Sequence, residues 1–357
     1  MSCAKERILS LDVFRGLTIA LMILVNYPGN SNPYPILAHA PWHGCTLADL
    51  VFPFFLFIIG VSCVVALRTK ARQNVLPKIL KRTLILLLLG LFLNAFSNHF
   101  SFTAIRYFGI LQRIAICYLL AAITCLYLSV RAQVWVFVLL VGSYWLLLSL
   151  YPYTLEANLV GIVDRHFFAP QHLYMRFFDP EGLLSTLPAF ATTLMGNLTG
   201  YFLQSSYSKT VKSYFILIAG GLSTFLGYIW SIWLPLNKAL WTSSYVLFTG
   251  GISLMLFATC YFVIEVKQYK AWARPLEIFG VNAILVYVLH VMAFKLQITT
   301  IIHNKDGSIE NLRDFITHYL FGFVNEPNAA FLYAFSGVLF WLGIMSILHR
   351  KHIMIKI

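Results

Sequence analysis

The residues best suited to chemistry lie in one stretch of 24, Asn26 to Asp49, which reads NYPGNSNPYPILAHAPWHGCTLAD. It carries two histidines four apart, His39 and His43, and ends on an aspartate three residues after Thr46. Histidine moves protons near neutral pH and can also accept an acyl group as a nucleophile. His39 is therefore either a catalytic base or nucleophile, or an interfacial side chain bonded to a backbone carbonyl. Asp49 has two readings as well. With Thr46 it fits a capping box that opens a helix, where the helix dipole favours an anion. Alternatively it orients a histidine or a substrate amine.

Three further polar groups fall within long apolar runs. Arg113, in Gly109-Ile110-Leu111-Gln112-Arg113, lies about 9 Å along a helix from Tyr107. A cation at that depth faces a partner or a pathway. It is either half of an ion pair, with Asp49 the candidate, or an anion contact such as a cofactor phosphate, with Gln112 beside it. Asn282 and His290 share a later run and act either as interhelical hydrogen-bonding groups or as part of a substrate site. Lys238 and Trp241 read as ordinary interfacial anchors. A Walker A loop, a dinucleotide fingerprint, HExxH and a GxSxG elbow are all absent from the sequence.

The elements that must hold these residues follow from composition. Of 357 residues, 59% are hydrophobic and 11% charged, with a mean hydropathy of +0.77. Soluble domains carry about a quarter charged residues. Apolar runs of spanning length recur, which gives an all-α, polytopic transmembrane helix bundle. About ten spans are expected, at 8–27, 47–67, 83–96, 107–129, 133–151, 184–204, 213–234, 244–264, 277–298 and 329–348. The first resembles a signal peptide, with its short apolar core Leu17 to Val25. Asp12 and Arg15, three apart, rescue it as a span by pairing on a face turned into the bundle. One domain over 1–357 is the simplest organisation.

The net charge of +13 does not point to nucleic acid, because the cations lie in short loops between apolar runs. The segments 1–15, 68–82, 131, 205–212, 265–276 and 350–357 hold 18 of the 26 Lys and Arg residues. The loops between them carry most acids, including Glu156, Asp164, Asp179, Glu181, Asp306, Glu310, Asp314 and Glu326. The positive-inside rule then places both termini in the cytoplasm and loops 27–46, 151–183 and 299–328 outside. Six cysteines show no metal-ligand spacing, and no metal is expected. Gly196 and Gly200 form a GxxxG contact suited to internal packing or to a homodimer. The Asn197-Leu198-Thr199 sequon lies in a span, so glycosylation there is not expected.

Taken together, several stretches resemble the heparan-α-glucosaminide N-acetyltransferase family of transmembrane acyltransferases. They are Leu11-Asp12-Val13-Phe14-Arg15-Gly16, Val25-Asn26-Tyr27, His39-Ala40-Pro41-Trp42 and Leu47-Ala48-Asp49-Leu50-Val51-Phe52-Pro53-Phe54. They continue with the Gly109–Arg113 run, Asp179-Pro180-Glu181-Gly182-Leu183-Leu184, Asn237-Lys238-Ala239-Leu240-Trp241-Thr242, and the run from Asn282 to His290. The resemblance implies that His39 is the residue tied to acetyl transfer and that Asn26 joins it in the active site. It implies acetyl-CoA entering from the cytosol, with Arg113 and Gln112 as candidates to bind it, and an amine acceptor on the far side. The family's large N-terminal luminal domain has no counterpart ahead of these stretches. The expected acceptor is therefore an amino sugar or another periplasmic amine, and the expected location a bacterial inner membrane. A transporter of a small solute or lipid-linked sugar is the other reading, its path lined by Asp12, Arg15, Arg113, Asn282 and His290.

Overall fold

A backbone in hydrocarbon has no water to satisfy its N–H and C=O groups, so a spanning run must close its hydrogen bonds within itself, as a helix. Every one of the ten apolar runs does so in the computed structural model, which describes residues 8–67, 75–303 and 308–353. In chain order the helices are α1 (Leu9–Asn26), α2 (Leu47–Leu67), α3 (Leu76–Ser97), α4 (Ile110–Tyr127), α5 (Val130–Ser149), α6 (Leu159–Phe167) and α7 (Thr186–Leu203). They continue as α8 (Lys209–Trp230), α9 (Ser243–Tyr261), α10 (Arg274–Val281), α11 (Ala283–Thr299), α12 (Leu312–Phe321) and α13 (Glu326–Arg350). Among the described residues the strands are a two-stranded antiparallel pair, β1 (Ile301–His303) with β2 (Ile309–Asn311).

Among the described residues, eight helices are long and apolar enough to cross a membrane, and nine spans result if α10 and α11 count as one, broken at Asn282 by 69°. The remaining expected span, α7, has the length but not the apolarity. Its position explains why. Fourteen of its 18 residues are buried, and it packs against α2, α4, α5 and α9 rather than lipid. Its Thr192, Thr193 and Thr199 hydroxyls donate to carbonyls one turn back, at 3.4, 3.3 and 2.8 Å, so the polar groups are satisfied in place. Asn197, the sequon residue, is fully buried and donates to Ala121 O, Thr124 Oγ1 and Gln133 Oε1, each at 3.2 Å.

Three crossings bring backbones into contact; at α8–α9, a Cβ on Gly251 would lie 2.4 Å from Thr224 N. At α2–α7, a Cβ on Gly60 would lie 2.0 Å from Thr193 O, and one on Gly196 would lie 2.1 Å from Phe57 O. The small-residue contact foreseen at Gly196 is thus used inside the chain, against α2. At α1–α10, a Cβ on Gly16 would lie 1.7 Å from Leu276 O. Arg15 pairs with Asp12 at 2.8 Å and also reaches Ser62 Oγ at 3.0 Å, so the pair faces the bundle as its spacing predicts.

The three loops expected outside converge at one end of the bundle. Trp42 Nε1 donates to Tyr153 O (2.7 Å), joining loop 27–46 to loop 151–183. Thr317 Oγ1 donates to Gly29 O (2.7 Å), joining it to 299–328. The opposite end carries the described cations Lys78, Lys81 and Arg82. Lys5, Arg7, Arg68, Lys70, Arg72, Lys356, Asp306 and Cys3 lie outside the described residues.

Candidate active site

From the convergent loops a cavity of about 1360 Å³ runs down through the bundle. Its wall includes α2 from Asp49 to Leu67, a rise of about 27 Å. That is close to the thickness of a bilayer's hydrocarbon, roughly 30 Å. At the loop end stand Asn26, His39, Trp42, Arg106, Glu181 and Lys238; at the other, Asp12, Arg15, Ser62 and Arg82.

Asp49 organises the loop end. Its Oδ2 accepts the N–H of Thr46 (3.1 Å) and of Ala40 (3.0 Å), while Thr46 O accepts the N–H of Asp49 (3.1 Å). This is the helix-opening cap. Its Oδ1 lies 2.8 Å from His39 Nδ1 and 3.3 Å from Lys238 Nζ. One carboxylate therefore performs both roles read from the sequence, and the buried Asp49 holds a histidine whose side chain is 47% exposed to the cavity. We assign the Nδ1 proton to the bond with Asp49, which leaves the Nε2 lone pair free for chemistry. Lys238 Nζ, 3.2 Å from Nδ1, cannot also donate to a protonated nitrogen. Its partner in this tautomer is Asp49.

The loops are pinned by backbone bonds. Thr46 Oγ1 donates to Ala38 O (2.7 Å), Gly44 N to Leu236 O (2.8 Å) and Asn237 Nδ2 to Trp42 O (3.0 Å). Tyr245 donates its hydroxyl to Asp49 O (2.6 Å). His43, in contrast to His39, stays outside the cavity wall. It contacts Asn237 Nδ2 at 3.3 Å, and burial lowers its pKa from the ordinary value.

A second ionic cluster closes the mouth. Arg106 binds Asp179 through two donors, Nε to Oδ2 (2.7 Å) and NH2 to Oδ1 (2.5 Å), and also donates to Glu181. Its guanidinium lies 4.7 Å from the Tyr174 ring centre. Burial alone would raise the Glu181 carboxyl; the cations Arg106 and Arg113 hold it below its ordinary value instead. Beneath this pair the fully buried Asp164 of α6 accepts the N–H groups of Asp179 (3.1 Å) and Leu183 (3.0 Å). Burial pushes its carboxyl up to about 6, outweighing those two donors.

The raised value means that the folded protein holds the Asp164 proton more tightly than the unfolded chain does. Its contribution to stability is present below about pH 4 and is lost as pH rises through about 6. Asp164→Asn, which cannot ionise, is expected to be less stable at low pH but flatter. Between pH 4 and 7 the wild-type unfolding midpoint should fall by ~3 °C more than the variant's. Scanning fluorimetry across that range checks it; parallel curves would remove Asp164 from the account.

The other expected site residues lie elsewhere. Arg113 and Gln112 are buried outside the cavity wall. Arg113 donates to Ser185 Oγ and to Gly182 O (3.3 Å) and lies 5.2 Å from the Trp241 ring centre. The pairing of Arg113 with Asp49 is therefore corrected: Asp49 is met by His39 and Lys238. The arginines in the wall are Arg15, Arg82 and Arg106. Asn282 marks the break between α10 and α11, its Nδ2 3.3 Å from Ile353 O. His290 lines a separate, smaller cavity. Trp241 is no interfacial anchor but a core residue, donating from Nε1 to Thr192 Oγ1 at 3.1 Å. Lys238, Arg106 and Glu181 are the residues that the sequence reading missed as site groups. Among the described residues no cluster of three His, Cys, Asp or Glu could hold a metal ion.

Comparisons with known proteins point to one family. The family described as "Heparan-alpha-glucosaminide N-acetyltransferase, catalytic" matches residues 7–230, which include Asn26, His39, Asp49, Arg106 and Glu181. The human heparan-alpha-glucosaminide N-acetyltransferase is 28% identical over 360 residues, covering 81% of this chain and 53% of that protein. The mouse protein of the same name is 28% identical over 356 residues, covering 80% and 54%. The chain thus spans about half the length of the curated relatives it matches.

Proposed function

The chain belongs to the heparan-alpha-glucosaminide N-acetyltransferase catalytic family, and on that premise we propose that it is a multi-pass membrane acetyltransferase. It moves the acetyl group of cytosolic acetyl-CoA to an amine, an amino sugar, on the opposite side of the membrane. The observation that carries this reading is His39 held by Asp49 at 2.8 Å at one end of a cavity about as long as a bilayer is thick. The cation-bearing end is the cytosolic one by the positive-inside rule, which puts His39 outside and both termini inside. The inner membrane of a bacterium is the setting that this orientation and the expected acceptor suit.

Acetyl-CoA supplies an acetyl group activated as a thioester. Arg82, at the cytosolic end, suits its anionic head: the buried Nε has no hydrogen-bond partner among the described residues, and the guanidinium lies 4.7 Å from the Tyr118 ring centre. At the other end, His39 Nε2 takes the proton as the acceptor amine attacks the thioester carbon. It returns that proton to the departing thiolate, so the products are the N-acetyl amine and free CoA. Asn26, the last residue of α1 and part of the same wall, donates to the carbonyl oxygen as negative charge develops there. Asp49, itself met by Lys238, keeps Nδ1 protonated and Nε2 free.

The test is turnover of acetyl-CoA by purified protein with a panel of amino sugars. Acceptor-dependent release of free CoA is expected. Acceptor-independent labelling of His39 would show that Nε2 itself attacks the thioester first. Asn26→Ala is expected to lower kcat by about 10²-fold with little change in donor affinity, the usual cost of one oxyanion donor. An unchanged kcat would take Asn26 out of the mechanism. The length of the cavity also favours a second reading, a transporter of a small solute without chemistry. A folded protein that neither binds nor turns over acetyl-CoA would establish that reading instead.

A further inference from the structure

A lysine that borders a span ordinarily turns its ammonium to water. Lys238 turns inward instead. It lines the large cavity with its side chain 25% exposed, and its Nζ lies 3.3 Å from Asp49 Oδ1 and 3.2 Å from His39 Nδ1. The turn that carries it is fixed on both sides. Asn237 is fully buried; its Oδ1 accepts the N–H of Leu240 (2.8 Å) and its Nδ2 donates to Trp42 O (3.0 Å). Lys238 O accepts the N–H of Trp241 (3.2 Å), whose φ of +51° lies in the left-handed region that bulky side chains rarely occupy. Leu240 and Trp241 are themselves buried. The ammonium therefore leaves a rigid turn and ends beside the imidazole.

That placement bears on which form of His39 the site holds. A carboxylate bonded to Nδ1 orients the ring, but it also stabilises the imidazolium. The imidazolium has no lone pair at Nε2 and cannot take a proton. Asp49 alone thus favours the unreactive form. A second cation beside the same nitrogen opposes it, because like charges repel, and Lys238 with Asp49 is neutral as a pair. The other ionisable groups nearby do not supply this charge. Arg106 is committed to Asp179 and Glu181. Cys45, whose burial pushes its thiol up to about 12, stays uncharged, and His43 faces Asn237.

We propose that Lys238 is a positioning residue that keeps His39 in its neutral, proton-accepting form by balancing the charge of Asp49. The inference rests on the reading of His39 Nε2 as the base. It is the charge of Lys238 that matters here, not its hydrogen bond. A neutral donor in the same place satisfies the Asp49 oxygen but leaves the carboxylate free to hold the imidazolium.

The test compares Lys238→Gln, a neutral donor, with Lys238→Arg, which restores the charge, using the full chain in lipid nanodiscs. With one amino-sugar acceptor throughout, the acid limb of kcat/KM is expected to move up by about one pH unit in Lys238→Gln, the low end of what a neighbouring charge does. The deficit below the limb is then about tenfold larger than on the plateau. Carbethoxylation of His39 by diethyl pyrocarbonate, which consumes only the neutral ring, should shift by the same amount when mapped across pH by mass spectrometry. Lys238→Arg should follow wild type in both measurements. An unmoved carbethoxylation curve in folded Lys238→Gln, or a loss of rate equal at every pH, would overturn the proposal and leave Lys238 a structural tie. Carbethoxylation needs no acetyl transfer. A shifted curve without any release of CoA would therefore sink His39 as the base and keep the charge balance. Should Lys238→Gln fail to fold, Lys238→Met supplies the neutral variant.

Discussion

His39→Ala is expected to lower acceptor-dependent release of free CoA by about 10³-fold while the protein still folds and binds acetyl-CoA. The magnitude follows from what a positioned base contributes, about 10²–10⁴-fold. The sparing of fold follows from exposure, since the His39 side chain is 47% exposed and Asp49 keeps its cap bonds to Thr46 and Ala40 without it. Asp49→Asn removes the charge that fixes the Nδ1 proton and faces Lys238. It is expected to cost about 10²-fold or more, by the logic of an imidazole held in the wrong tautomer. Donor binding by equilibrium dialysis and CoA release on the same preparations give the answer. Full transfer activity from folded His39→Ala would falsify the mechanism.

Gly60→Leu is expected to yield no folded protein, a loss of more than about 4 kcal/mol, beyond the range of ordinary core overpacking. The new Cβ would stand 2.0 Å from the backbone oxygen of Thr193, and no rotamer relieves a clash with backbone. α7 can withdraw only by abandoning its contact along α2. Gly142→Leu and Gly343→Leu are the controls, because a Cβ at either meets nothing within 4 Å. Size-exclusion profiles should show monodisperse controls and aggregated Gly60→Leu. A monodisperse Gly60→Leu would mean that the two helices cross elsewhere.

The contrast between legible and illegible residues has a physical basis. Helices α1 to α5 are readable because each keeps an apolar composition over a spanning length, whether it is largely exposed, as α5 is, or largely buried, as α2 is. The Asp49 cap is readable because its partner Thr46 is three residues away. Lys238 is not, because Asp49 lies 189 positions earlier in the chain, and a lysine after a span reads equally well as a snorkelling anchor. The direction of Arg113 is hidden for another reason. Leu111, Ile114 and Tyr118 form the stripe of α4 that faces the cavity. With Ile110, also in that wall, the stripe spans about 100° of the helix, and Arg113 lies roughly 110° from its centre, on a flank. Both faces of α4 are buried, so hydrophobic pattern cannot say which of them fronts a chamber. α7 is read as a span as well, and it is less apolar than the others because a helix wrapped by other helices need not be as apolar as lipid.

The cavity along α2 also bears on what the membrane can hold back. A passage of this length filled by a column of water would shunt ions and protons whenever it stood open. Between its charged ends, however, the wall includes Phe52, Phe55, Ile58, Ile59, Leu86 and Ile114. Apolar constrictions of this kind shed their water and block conduction by dewetting. By that logic apolar side chains of the wall, rather than lipid, would have to carry the permeability barrier along this path. Admitting a long polar molecule without admitting a leak then depends on the molecule itself acting as the plug.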